Sequence, residues 1–169
     1  VGLDHLDLSV SQQERNVMTA SLTRPISFSL RSDGPFATES SADLTVRVDA
    51  LDLTQLNSFL PRKKLAIQSG NLTADTVLSV ASAGESVVAH GQINLGAIRI
   101  ASEDSRSDSA DIATAYDLTL EKGGFSVKNL TCDVRLGGRY AGHIEGNGAI
   151  DPDGRKGQIV LKGDGIDLL

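Results

Sequence analysis

Tryptophan is absent from this chain, and other rings are few: four Phe and two Tyr in 169 residues. A compact β-sandwich usually sets several large rings between its sheets, so any interior here must be aliphatic. Cysteine occurs once, at Cys132, which excludes an internal disulfide and a closed cysteine-rich metal site. No run of eighteen apolar residues exists, so no segment is predicted to span a membrane as a helix. No signal peptide is visible either, and the pattern is already under way at residue 1. Basic clusters are equally scarce. The net charge is -6 and the longest Lys/Arg run is Arg62-Lys63-Lys64, which argues against nucleic acid as a partner.

Residues that carry catalysis are thinly spread. His5, His90 and His143 stand at no metal-ligand spacing from one another. Tyr140, His143 and Glu145 lie close in sequence, but no nucleophile turn or glycine-rich phosphate loop accompanies them. Asp151-Pro152-Asp153-Gly154 sets two carboxylates before a glycine without the further oxygens or terminal Glu of a calcium loop. A type I turn with proline second explains it. The expectation is a protein without enzymatic activity, cofactor or metal.

Alternation is what the chain has in abundance. Strands are predicted over residues 3–10, 15–23, 26–31, 42–50, 64–81, 87–101, 109–122, 124–136, 139–150 and 157–168. Short connections such as Gly123-Gly124 and Gly137-Gly138 predict sequential antiparallel hairpins, since parallel strands need long crossovers. The same connections, with irregular strand spacing, count against a parallel β-helix. The fold class predicted is mainly β, an elongated, curled antiparallel sheet with one short helix plug near residues 53–60.

Changes of parity locate irregularities. Tyr116, Leu118 and Leu120 share a face, and Phe125 and Val127 continue it on odd numbers. Leu130, Cys132, Val134 and Leu136 then appear on even numbers, which predicts a bulge near Lys128-Asn129. On this parity Cys132 reads as a small buried hydrophobe. Ile93 and Leu95 give way to Ile98 and Ile100 in the same manner, with Gly96 as the predicted bend.

The helix is specified locally. Leu44-Thr45-Val46-Arg47-Val48 alternates, Leu51-Asp52-Leu53 follows, and Thr54-Gln55-Leu56-Asn57-Ser58-Phe59-Leu60 runs up to Pro61. Asp52 is the predicted cap, with Gln55 in the capping-box position and Leu53, Leu56 and Leu60 on one side. With Phe59 they form the plug, which is too short to stand without packing on the sheet. A three-residue echo, Leu6-Asp7-Leu8, Leu51-Asp52-Leu53 and Ile166-Asp167-Leu168, hints at repetition.

The passage from Leu44 to Val80 resembles the AsmA-like superfamily. There a strand ends in a Leu-Asp-Leu step, enters a short helix of the kind seen at 54–61, and leads to strands of the type Leu65-Ala66-Ile67-Gln68-Ser69-Gly70-Asn71-Leu72-Thr73-Ala74-Asp75. The resemblance implies a Gram-negative envelope protein, anchored in the inner membrane and extended through the periplasm as a curled sheet with an apolar interior. On that reading residues 1–169 are one β-rich segment cut from a longer repetitive parent, with sub-units 1–50 and 51–169. Its partners would be phospholipid, adjacent segments of the parent chain and outer-membrane proteins.

The candidate groove wall is Leu44, Val46, Leu72, Leu78, Val80, Ile93, Leu95, Leu118, Leu120, Phe125, Val127, Leu130, Val134 and Leu136. Three functions fit such a sheet. A lipid conduit needs an open apolar trough. A structural spacer or assembly scaffold needs the same side chains interlocked. An adhesin or glycan-binding repeat needs exposed aromatics or a polar cleft.

Overall fold

The computed structural model describes residues 2–3, 5–12, 14–24, 26–29, 37–38, 41–60, 65–81, 85–102, 105–151 and 156–165. Pro61, Arg62-Lys63-Lys64, the acidic turn beyond Asp151 and Ile166-Asp167-Leu168 lie outside these residues. The chain is mainly β. Its strands are β1 (Gly2–Leu3), β2 (Asp7–Gln12), β3 (Arg15–Leu22), β4 (Ile26–Ser29), β5 (Ala37–Thr38), β6 (Ala42–Asp52), β7 (Ala66–Ala81), β8 (Ser86–Ala101), β9 (Ala110–Glu121), β10 (Gly124–Leu136), β11 (Arg139–Ile150) and β12 (Gly157–Asp164).

Nine strands form one open antiparallel sheet in the order β12-β11-β10-β9-β8-β7-β6-β3-β2. From β6 to β12 this is the serial meander that the glycine hairpins predict. Gly137 and Gly138 make one of the two-residue turns. Their φ values of 56° and 78° suit a type I′ loop, and Leu136 pairs directly with Arg139.

The N-terminal region departs from the prediction. The strand expected over 3–10 is divided: β1 pairs with β4, whereas β2 pairs with β3. The strand expected over 26–31 is likewise absent from the meander, since β4 joins β1 and β5 in a separate three-stranded sheet. Pairing to the main sheet begins where the Leu22 N–H donates to the Leu6 carbonyl, at 3.0 Å. The echo also diverges in structure: Leu51-Asp52-Leu53 opens a helix, but Leu6-Asp7-Leu8 runs into β2.

Bulges fall where parity changes. The β9–β10 register slips between Val127 and Asn129, and the β8–β9 register slips between Leu95 and Ile98. At the second site the left-handed residue is Ala97, with φ 51°, rather than Gly96. Its N–H donates to Asp111 Oδ1 at 2.8 Å, and its carbonyl accepts from Ser69 Oγ at 2.8 Å. These bonds hold a conformation an alanine seldom adopts. Ala50, with φ 53°, sits in the corresponding slip of β6 between Val48 and Leu51.

The helix is a 3₁₀ segment, Leu53–Ser58, shorter than the predicted plug. Asp52 caps it by accepting from Thr54 N and Thr54 Oγ1, at 2.9 and 2.7 Å. The predicted return bond from Gln55 is replaced by Gln12, whose Oε1 accepts from Asp52 N at 3.2 Å. Three residues per turn place Leu53, Leu56 and Phe59 in one row. Their exposures of 7, 40 and 84% show the row leaving the sheet after its first member. Leu60 is half-buried. Asn57 makes the second attachment, its side-chain amide donating to the Ile67 carbonyl and accepting from the Ile67 N–H, both at 2.8 Å. The amide thus continues the pairing of β7 beyond the end of β6.

The accessible surface is 11780 Å², against about 8,000 Å² for a compact monomer of this mass. The buried apolar residues are Val17, Ala20, Leu22, Ala42, Leu53, Val127 and Ala141, and among the described residues no large side chain is completely enclosed. Among the same residues no helix is long and apolar enough to cross a membrane.

Candidate functional site

Pairing register assigns every side chain of the meander to one of two faces. Directly opposed residues share a face, and successive residues alternate. One row runs Leu22, Leu44, Leu78, Ala89, Leu118, Val127, Gly148, Ile159 across eight strands. The row beside it holds Ala42, Val80, Val87, Leu120, Phe125 and Ile150. Toward the opposite end lie Val48, Ala74, Ile93, Thr114, Cys132 and Ile144, then Leu51, Leu72, Leu95, Ile112 and Val134. Val46 opposes Thr76, Leu130 opposes Tyr116, and Leu136 opposes Ala110.

All the candidate wall residues therefore stand on one face. The bulge after Val127 is what keeps the two halves of β10 together there, since unbroken alternation would have turned Leu130, Val134 and Leu136 over. The list drawn from sequence omitted Leu22, Val48, Leu51, Val87, Ile112, Ile144, Ile150 and Ile159, which the register adds. Parity would have found Val48 and Ile112, because they continue the runs of Val46 and of Tyr116.

Most of these side chains are half-buried against one another, while Leu120 is 54% exposed and Val127 only 8%. Strand-to-strand neighbours dominate the packing, and the helix makes its contacts with β7. A sheet with one apolar face ordinarily buries it under a second layer. Among the described residues no such layer covers this one.

Two glycines shape the surface. Gly91 lies between Thr76 and Tyr116 in register, and the Tyr116 hydroxyl spans it to reach Thr76 Oγ1 at 2.6 Å. The bond pairs the two hydroxyls with each other within a mainly aliphatic face. A Cβ at Gly91 would stand 2.3 Å from the Asp75 carbonyl oxygen. At Gly146, Leu161 leans into the space where a side chain would be, and a Cβ there would meet its Cδ2 at 2.5 Å.

The other face is polar, and its charges pair across strands. Arg47 Nη2 lies 2.9 Å from Asp75 Oδ2, His143 Nδ1 lies 2.7 Å from Asp133 Oδ1, and Lys162 Nζ lies 3.7 Å from Glu145 Oε1. Each of these pairs is directly opposed in register. His90 is exposed on this face. Among the described residues no three His, Cys, Asp or Glu side chains group as metal ligands.

Asp117 Oδ1 and Thr119 Oγ1 are buried on the polar face without a protein hydrogen-bond partner. Comparisons of the chain with protein-family models, curated proteins and solved structures find no match.

Proposed function

We propose that this chain is a section of a periplasmic groove that holds phospholipid acyl chains and lets them pass between inner and outer membrane. The observation that carries the reading is the aliphatic face spanning nine strands, with no second layer upon it among the described residues. The resemblance to the AsmA-like superfamily supplies the lipid, the compartment and the membrane-anchored parent. The role is one of binding and guidance, without chemistry on the lipid.

The physics is favourable. An acyl chain of ~15 methylenes withdrawn from water gains about 12 kcal/mol in gross transfer, at roughly 0.8 kcal/mol per methylene. Ordering of the chain and imperfect fit reduce that gain. Leu, Val and Ile offer no directional contacts, so neighbouring positions of the chain have nearly equal energy and sliding meets little resistance. The Thr76–Tyr116 bond supports this by engaging two hydroxyls with each other rather than with the path.

The test is native mass spectrometry of protein prepared without detergent from a Gram-negative host, followed by lipid extraction. Phospholipid is expected in stoichiometric amount, and is lost in Leu120→Asp and Val134→Asp variants that retain their β-sheet circular dichroism. Lipid-free wild-type protein would favour the structural reading, a scaffold segment whose apolar face is covered by adjacent parts of the parent.

A further inference from the structure

A concavity of about 500 Å³ lies where β8 to β11 run side by side; the polar-face side chains Asn94, Asp111, Asp133, Arg135 and Tyr140 wall it, and Leu95, Gly96, Ile112 and Ala113 complete its lining. Backbone irregularity builds it. The β10–β11 register slips after Val134, so that Val134 opposes Gly142 whereas Arg135 opposes Tyr140. Unbroken alternation from Ile144 and Gly142 would put Tyr140 on the aliphatic face. The extra residue, Ala141, turns it over to stand beside Arg135, the kind of re-aiming for which bulges are retained near binding sites.

The tyrosine is set apart from any core. Its side chain is 57% exposed. Gly165, with φ 63°, brings bare backbone against the ring, and a Cβ at that position would lie 3.0 Å from Tyr140 Cε1. The polar groups around it are partly engaged. Asp111 Oδ1 accepts from Ala97 N at 2.8 Å, and Asp133 Oδ1 is bonded to His143 Nδ1 at 2.7 Å. The second oxygen of each carboxylate has no hydrogen-bond partner among the described residues. Arg135 opposes Asp111 in register, yet among the described residues no carboxylate forms an ion pair with it.

We propose that this cleft is a binding site for a neutral oligosaccharide. An exposed tyrosine ring offers a flat apolar surface to the C–H face of a pyranose, with few rotatable bonds to immobilise. The open carboxylate oxygens accept from sugar hydroxyls, and Asn94 and the Arg135 guanidinium donate to them. Two carboxylates beside one guanidinium disfavour an acidic sugar. A wholly apolar ligand would strip water from those charges without replacing its hydrogen bonds. The tyrosine and the charged groups of the cleft lie on the face opposite the proposed lipid surface, so the two readings stand or fall separately.

Amide NMR titration of the whole chain tests this, using the neutral tetrasaccharides maltotetraose, cellotetraose and N-acetylchitotetraose, with tetragalacturonate as the acidic counterpart. At least one neutral sugar is expected to bind with shifts confined to residues around 94–97, 111–113 and 133–143. Tyr140→Ala should weaken that binding about tenfold or more, while Tyr140→Phe retains it. Leu120→Asp on the other face should leave it unchanged. The proposal is overturned if no neutral sugar shifts these amides at millimolar concentration. It is also overturned if a folded Tyr140→Ala variant binds like the parent, or if tetragalacturonate binds more tightly than every neutral sugar.

Discussion

From β6 to β10, one face of the sheet presents Leu44, Leu78, Ala89, Leu118 and Val127 in a row, and the other, one residue along, presents Asp43, Ser79, Val88, Thr119 and Ser126. The backbone ladder is shared, so the faces differ only in what each needs from its surroundings. Most polar side chains are satisfied by one another and by water, as the opposed Arg47–Asp75 and Asp133–His143 pairs illustrate; Asp117 Oδ1 and Thr119 Oγ1 are the buried exceptions among the described residues. Aliphatic side chains can only be satisfied by exclusion of water, and this sheet excludes it incompletely. A single layer is therefore stable on one side and unfinished on the other. That asymmetry is the physical basis for proposing lipid at the aliphatic face and sugar at the polar cleft.

The comparison breaks most severely at Gly91. A Gly91→Val variant drives a side chain into the Asp75 carbonyl and displaces Tyr116, and should lose about 3 kcal/mol or more in urea unfolding. Next comes a contrast within the aliphatic face. Val127→Asp buries a carboxylate and should cost about 3 kcal/mol, whereas Leu120→Asp, at an open position, should cost under about 1 kcal/mol. Equal losses at both sites would mean that the face is uniformly covered.

On the polar face, Thr119→Val removes a buried hydroxyl that has no protein partner and keeps the β-branched shape. The variant should gain about 1 kcal/mol in the same unfolding assay. Arg47→Ala, which deletes an exposed pair with Asp75, should lose no more than about 0.5 kcal/mol, and less at high salt.

The smallest effect belongs to the helix, at the margin of both faces. The Thr54 hydroxyl, and then the Thr54 N–H, hold the Asp52 carboxyl below its ordinary value of 3.8. A lowered folded-state value means that the stabilisation is complete above the ordinary value and is lost as pH falls through the lowered one. An Asp52→Asn variant should flatten that acid limb of the stability profile, with the Asp52 carboxyl carbon shift in NMR reporting the titration directly.

Much of this architecture was legible beforehand. Alternation placed the strands of the meander, and the parity changes at Lys128-Asn129 and near Gly96 located two bulges. The candidate wall residues share one face because period-two spacing is a local property of the chain. The helix was harder. Its cap at Asp52 was readable, but Gln12 and Asn57 attach it through contacts with distant strands that no local pattern reveals. The cleft was harder still. Asp111, Asp133, Arg135 and Tyr140 come from three strands, and Tyr140 stands on the polar face only because of Ala141.

The sequence by itself determined a mainly β chain, its hairpins, and two chemically opposite sets of side chains, because each depends on spacing along one strand. The tertiary structure alone decided that β1, β4 and β5 leave the main sheet, that only Leu53 of the predicted plug is buried, and that Tyr140 meets Arg135. The physical reason is common to all three. Register and bulges are set by the partner strand, and an alternating segment carries almost no information about which partner that will be.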